Sequence, residues 1–280
     1  MRRLLLLWIF LPCYIAAQTL PTVEEKTKSF KKYEGFLNYY WDEQNGKLWL
    51  EVDKPDSELL YQVSMPAAIG SNDIGLDRGL LGDTRIVKFV RSGQKLLLTQ
   101  PNYNYRAVTN DRAERKAVEQ SFAQSVIWGF TIEAVSNGHL LVDATDFLLR
   151  DAMKAANRLK SSRQGAYALD KSRCALYLPM CKNFPLNAEL EATLTLVNND
   201  GETGNYINSV TPSPEAVSFR MHHSFVQLPD DGYQPREFDP RSSFINISYF
   251  DYSTPVAEPI EKMFLTRPPF TKHAPTLAKT

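Results

Sequence analysis

The chain has 280 residues, with 32 Lys+Arg against 32 Asp+Glu, 43% hydrophobic and 11% aromatic residues, 13 Gly and 17 Pro. Zero net charge with no single-sign block offers no long-range field for nucleic acid, and the Gly and Pro content excludes collagen-like and disordered classes. The length suits one or two domains with a sizeable core.

Arg2 and Arg3 precede an apolar run from Leu4 to Ile15, interrupted by Pro12, and then Ala16 and Ala17. That is the layout of a secretory signal peptide, with cleavage expected after Ala17. A run of about 12 residues falls short of the roughly 20 that cross a bilayer. The mature chain is therefore expected to be exported, periplasmic or extracellular, with no membrane partner after cleavage. A lipoprotein reading through Cys13 is disfavoured by Pro12 just before it. Residues 18–35 read as a lead-in.

From Phe36 onward the pattern is of short strands. Phe36–Trp41 and Lys47–Val52 flank Asn45-Gly46, which supplies the positive φ angles of a tight turn, so a hairpin is predicted. Leu59–Val63 is a third strand, and Arg85–Val90 with Lys95–Thr99 a second hairpin. Between them Gly70-Ser-Asn-Asp-Ile-Gly-Leu-Asp-Arg-Gly79 carries too many glycines for a regular element. Its alternating Asp73 and Asp77 suggest calcium ligands, but no bidentate Glu follows at the required spacing, and an Ω-type loop is the default.

Ala117, Val118, Phe122, Val126 and Ile127 recur at three- and four-residue intervals and predict a helix over Asp111–Gly129, capped by Asn110 or Asp111. Thr131–Val135 and His139–Val142 form another hairpin around Asn137-Gly138. A second helix is predicted from Asp146 to Lys160, capped by Thr145. Strands return at Ala175–Leu178, Ala188–Val197, Val217–Leu228 and Phe244–Tyr249. Short turns join most neighbouring strands, which argues for an α+β fold, β-rich, with a mostly antiparallel sheet and two packed helices. The domain is placed at residues 36–254, with a break into two subdomains near 165–175 as the alternative. Residues 255–280 are Pro- and Lys-rich and read as a linker or truncated tail.

Cys174 and Cys181 are two cysteines in an exported chain. A straight strand holds them some 20 Å apart at about 3.3 Å per residue, so a bridge needs a fold-back, and two buried thiols are the alternative. Four histidines are present, His139, His222, His223 and His273, with no i, i+4 pair of the zinc-hydrolase type. His222 and His223 adjoin in a predicted strand and face opposite ways, so they do not chelate one ion without a bulge; one packed inside and one exposed is the plain alternative. No Gly-x-Ser-x-Gly elbow or phosphate loop occurs. Leu228–Arg241 is dense in charge and stiffened by proline: Asp230, Asp231, Arg236, Asp239 and Arg241 interleave with Tyr233 and Phe238. Structural ion pairing is the first reading of this loop, and a contact surface the second.

Six strings occur in a shared order: Gly70–Gly79, Gln100-Pro-Asn-Tyr103, Ser121-Phe-Ala-Gln-Ser-Val126 with Trp128-Gly-Phe130, Val142-Asp-Ala-Thr-Asp-Phe-Leu-Leu-Arg-Asp151, Ser209–Val217, and His222–Tyr233 with Phe238-Asp-Pro-Arg241. Together, over residues 30–268, they resemble the N-terminal region of a bacterial family of large secreted zinc-dependent metalloproteases. In that family the region is a domain of unassigned function, followed by a metzincin-like catalytic domain that carries the zinc ligands and the general-base Glu. The resemblance implies no catalytic or metal residue in this chain, no cofactor of its own, and zinc only in the absent catalytic domain. It also implies a fragment or natural short form whose partner is the catalytic protease domain, with a peptide substrate as a further partner.

The interdomain-contact candidates are His222, His223, Asp230, Asp231, Tyr233, Arg236, Asp239 and Arg241. The second functional reading is a free-standing extracytoplasmic module for peptide or glycan that uses Tyr39, Tyr40, Trp41 and Trp49 as a stacking surface, against core packing of those rings. A third, a hydrolase built on Asp230, Asp231 and His222, has nothing in its spacing that selects a reaction.

Overall fold

Strand formation begins where alternation and turn chemistry agree. The computed structural model describes residues 20–70, 72–198, 200–229 and 232–266. The stretch 1–17 expected to be a signal peptide, Asp230, Asp231 and the segment from 267 onward lie outside the described residues. A short helix α1 (Val23–Thr27) opens the fold, closed at its N-terminus by a capping box between Thr22 and Glu25. The strands that follow are β1 (Lys31–Tyr33), β2 (Tyr39–Asp42), β3 (Lys47–Val52), β4 (Glu58–Ala67), β5 (Leu80–Ser92), β6 (Lys95–Gln100) and β7 (Tyr105–Arg106). Helix α2 (Arg112–Ser121) precedes β8 (Ser125–Ser136) and β9 (His139–Asp143), and helices α3 (Thr145–Leu148) and α4 (Ala155–Ser161) come next. The chain continues through β10 (Tyr167–Leu169), β11 (Ala175–Leu176), β12 (Lys182–Asn183), β13 (Asn187–Asn198), α5 (Asn205–Val210), β14 (Ala216–Gln227), β15 (Asn246–Asp251) and β16 (Glu261–Leu265).

The fold is α+β, β-rich and mostly antiparallel. Thirteen strands form one sheet in the order β1-β2-β3-β9-β8-β6-β5-β4-β14-β13-β10, with β11 and β12 also along β13. A second sheet of three strands runs β16-β15-β7. In β4 the residues Leu59, Tyr61, Val63 and Met65 are buried at every second position, and in β14 Val217, Phe219, Met221, His223 and Phe225 are. That period-two pattern sends one face inward.

The large sheet curls until its ends meet. Phe36 N–H donates to Phe184 O at 2.8 Å. The Asn183 amide donates to Tyr33 O at 2.9 Å and Leu37 O at 2.8 Å. Inside the curl lies one continuous apolar cluster drawn from β3, β4, β5, β6, β8, β9, β13 and β14. Phe147 of α3 plugs it, with ring centres 5.4–6.1 Å from His223, Phe130, Tyr61, Trp128 and Phe225. A smaller cluster, Val23, Tyr40, Trp49, Ala134 and Leu141, fills the opposite face under α1.

Several predicted boundaries move. The helix expected over Asp111–Gly129 ends at Ser121; Phe122 is already extended, and Val126 and Trp128 pair with Thr99 and Leu98 in β6. Apolar residues at 122, 126 and 127 satisfy a helical stripe and a strand equally well, and sheet pairing decides between them. The helix expected from Asp146 to Lys160 is split. Lys154 adopts φ 57°, and the Asp151 carboxylate caps α4 by accepting from Ala155 N at 2.8 Å and Ala156 N at 2.9 Å. Thr145 is not a cap; its hydroxyl accepts from Leu48 N at 3.0 Å and ties α3 to β3. Five helices, all short, therefore stand among the described residues where two were expected.

The lead-in belongs to the fold through α1 and β1, and the supposed linker contains β16, paired with β15 from Asn246↔Leu265 to Phe250↔Glu261. Residues on both sides of 165–175 share the large sheet, since β14 pairs with β4 through Phe225↔Tyr61 and β10 with β13 through Tyr167↔Asn198. Cys174 and Cys181 are free thiols, each sulfur accepting a β13 amide at 3.4 Å, from Thr195 and Glu191 respectively. Burial pushes the Cys181 thiol up to about 11.

Candidate functional site

The adjacent histidines point to opposite faces of β14, as strand geometry requires. His223 is fully buried beneath Phe147, and its surroundings dictate its tautomer. Its Nε2 lies 3.2 Å from Leu148 O, which only accepts, so Nε2 carries the proton. Nδ1 then accepts from the Tyr61 hydroxyl at 2.7 Å, and Tyr61 in turn accepts from Arg150 Nη2 at 2.7 Å. Burial, then the Arg150 charge, pushes His223 down to about 3. It is a neutral member of a buried hydrogen-bond chain and is unavailable for contact with another domain.

His222 is half-buried rather than exposed. It sits between two β13 carboxylates, Nε2 at 2.6 Å from Glu189 and Nδ1 at 3.2 Å from Glu191. Arg220 Nε completes the cluster 3.4 Å from Glu191, with its guanidinium 4.3 Å from the Tyr177 ring centre. Burial pulls the His222 pKa down, but the Glu189 hydrogen bond and charge, then those of Glu191, outweigh it and hold the pKa above the ordinary histidine value. Ser224 Oγ donates to Glu189 at 2.5 Å and not to the imidazole, so this group contains no activated hydroxyl. Both nitrogens of His222 are engaged, which removes it from the hydrolase reading. Among the described residues no group of three or more His, Cys, Asp or Glu side chains is arranged to hold a metal ion.

The charged loop runs along the small sheet. Leu265 N–H donates to Arg236 O at 2.9 Å, Phe238 N–H to Met263 O at 3.0 Å, and Glu237 bridges Phe264. Asp239 and Arg241 form an exposed ion pair at 2.7 Å, in keeping with the ion-pairing reading, and Tyr233 is exposed. The structure therefore sets Arg236, Asp239 and Arg241 along the edge of the small sheet, while His222 and His223 stand in β14 of the large one. The hairpin aromatics are unavailable as a stacking surface: Tyr39, Tyr40 and Trp49 are buried and Trp41 is half-buried.

A cleft of about 650 Å³ opens between the two sheets. One wall comes from β5 and the turn after β6, the other from β15 and β16. The Arg106 guanidinium is layered between the Tyr103 ring at 5.2 Å and the Tyr249 ring at 4.1 Å, and Tyr249 stacks on Phe264 at 5.8 Å. Arg106 Nε donates to Tyr103 O at 2.6 Å. Arg85, also in the lining, is paired with Asp83 at 2.6 Å. Among the described residues no carboxylate side chain lines the cleft and none pairs with Arg106. Sequence reasoning singled out the Tyr103 string but missed the cleft, because its two walls lie more than 100 residues apart.

Residues 79–268 match the family described as Domain of unknown function (DUF5117), more than half of the chain. The chain belongs to the DUF5117 family. No curated protein and no solved structure matches it. The DUF5117 match starts just before β5, yet β4 lies between β5 and β14 in the middle of the sheet. The folding unit of this DUF5117 chain is thus larger than the matched region.

Proposed function

We propose that this chain is the non-catalytic N-terminal part of a secreted zinc-dependent metalloprotease, and that it packs on and assists the protease domain. The ordered strings from Gly70 to Arg241 support the parentage, and the Arg2–Ala17 opening supports export. Zinc belongs to the protease domain in this reading, and no residue of this chain is given a catalytic role.

One observation carries the packing half of the proposal. Large apolar side chains stand in solvent on and beside the small sheet: Ile247 is 60% exposed on one face, Met263 is exposed on the other, and Ile245 (77%), Phe244 and Ile260 are exposed in the flanking segments. Singly exposed apolar residues are ordinary, but five within residues 244–263 on one small sheet and its flanks favour an interaction surface there. The family resemblance has the protease domain following this end of the chain, where a short tether raises its effective concentration at the patch. Arg236, Asp239 and Arg241 form the polar rim.

The test has two parts. The reading frame beyond Thr280 is expected to encode a His-Glu-x-x-His helix; a continuing frame without one overturns the parentage. Hydrogen exchange of the chain alone and in tandem with that domain is expected to show new protection at residues 244–266, and unchanged protection there overturns the packing. The second reading, a free-standing extracytoplasmic module for peptide or glycan, is favoured by the cleft beside Arg106.

A further inference from the structure

We infer that the cleft between the two sheets binds an acidic peptide segment, with Arg106 holding a carboxylate and the Tyr249, Phe264 and Ile247 face seating a neighbouring apolar side chain. The inference concerns the cleft of the isolated chain: Ile247, Tyr249 and Phe264 fall within the segment proposed to meet the protease domain, so peptide binding is read on the chain alone and its failure is distinct from failure of that packing.

The chemistry follows from what Arg106 has left to offer. Its guanidinium lies over the Tyr103 ring at 5.2 Å and the Tyr249 ring at 4.1 Å, and its Nε–H is spent on Tyr103 O. The Nη edge remains, and that edge is the planar fork that matches a carboxylate with two parallel hydrogen bonds. Layering between two rings holds the fork in place before any ligand arrives, which lowers the ordering cost of binding. With Arg85 occupied by Asp83, Glu58 engaged by the Tyr103 hydroxyl at the cleft's edge and no carboxylate among the described lining residues, Arg106 is the cleft's unpaired positive group.

The second half of the ligand follows from the small sheet. Ile247 lies opposite Phe264 in register, Tyr249 stacks on Phe264, and Ile247 is 60% exposed beside this stack. An apolar or aromatic side chain laid there buries surface on both partners. A neutral sugar would use the rings and leave Arg106 unmet, so a carboxylate-bearing peptide fits better. The chain's own segment after Thr266 is a poor occupant, since Arg267, Lys272 and Lys279 bring positive charge and no acidic residue stands among them.

The test is fluorescence polarisation on the full chain with labelled Gly-Ala-Phe-Glu-Ala-Gly amide, the same peptide with Gln in place of Glu, and a neutral oligosaccharide. The Glu peptide is expected to bind about tenfold more tightly than the Gln peptide, with the preference shrinking as salt is raised. Arg106→Gln is expected to erase that preference, Arg106→Lys to keep a reduced one, and Ile247→Ser to weaken both peptides. Thermal melts establish that the variants fold; should Arg106→Gln not fold, the Glu-to-Gln comparison and Ile247→Ser decide. Equal binding of the two peptides, a preference that survives Arg106→Gln, selective capture of the oligosaccharide, or no peptide binding into the millimolar range each overturns the inference.

Discussion

Two neighbouring histidines give the molecule opposite responses to pH. His223, neutral in the fold and held at about 3, is protonated in the unfolded chain below its ordinary value of about 6.5. The unfolded state then binds the extra proton, so stability falls as pH drops below about 6.5, by roughly 1.4 kcal/mol per unit at the steepest. His222 works the other way. Its folded pKa is raised, so its contribution is fully present below about 6.5 and is lost as pH rises through the higher folded value. Burial pushes the Glu189 carboxyl up, but hydrogen bonds from His222, Ser224 and Asn187 outweigh it and hold it below the usual carboxylate range, so its share is lost only in acid. An NMR titration of the imidazole resonances is expected to show His222 titrating above the ordinary histidine range and His223 not titrating between pH 4 and 8; a His223 midpoint near 6.5 contradicts the buried chain. The opposite facing of this pair was legible in the sequence, because a strand alternates. Its carboxylate partners were not, since Glu189 and Glu191 reach His222 only through the long β13–β14 register.

At the scale of single elements, the hairpins were read well and the helices poorly. Asn45-Gly46 and Asn137-Gly138 specify tight turns by backbone chemistry that needs no tertiary help, and Asn137 and Gly138 take φ 50° and 87°. Helical periodicity was a weaker guide. Val126 and Ile127 match a helical stripe locally but are β-branched, and once a sheet edge is present Val126 and Trp128 pair with β6 around a bulge at Ile127. Between α3 and α4 the chain reverses through Lys154 in the left-handed region, a conformation that costs a non-glycine residue about 1 kcal/mol. The Asp151 carboxylate offsets part of this by satisfying two amides at the start of α4. Asp151→Ala is therefore expected to destabilise the chain by about 1 kcal/mol in urea unfolding, and Asp151→Asn by less. Equal stability of Asp151→Ala and the parent rules out the cap.

For the molecule as a whole, closure of the large sheet is the decisive event. Asn183 spans its two ends with hydrogen bonds to Tyr33 O and Leu37 O, and a Cβ at Gly35 would lie 2.4 Å from the Asn183 side chain. Asn183→Ala is expected to cost about 1–3 kcal/mol, as two partly buried carbonyls lose their donor. Amide exchange at Phe36 and Phe184 is expected to quicken more than at Leu60 in the sheet centre; uniform change across the sheet contradicts a local seam. The Arg106 cleft is framed elsewhere, where the small sheet packs back through Tyr105, which stacks on Phe122 at 3.9 Å and on Phe250 at 5.6 Å.

The sequence by itself determined the class of fold, most strand positions, the tight turns and the facing of the two histidines, because each rests on alternation or backbone chemistry within a few residues. The tertiary structure alone decided where α2 ends, that residues 261–265 are strand, that the hairpin aromatics are core, and that Arg106 lies between Tyr103 and Tyr249. Those outcomes depend on which distant segments meet, and the energies that choose between them come from burial and pairing across the closed sheet rather than from neighbours along the chain.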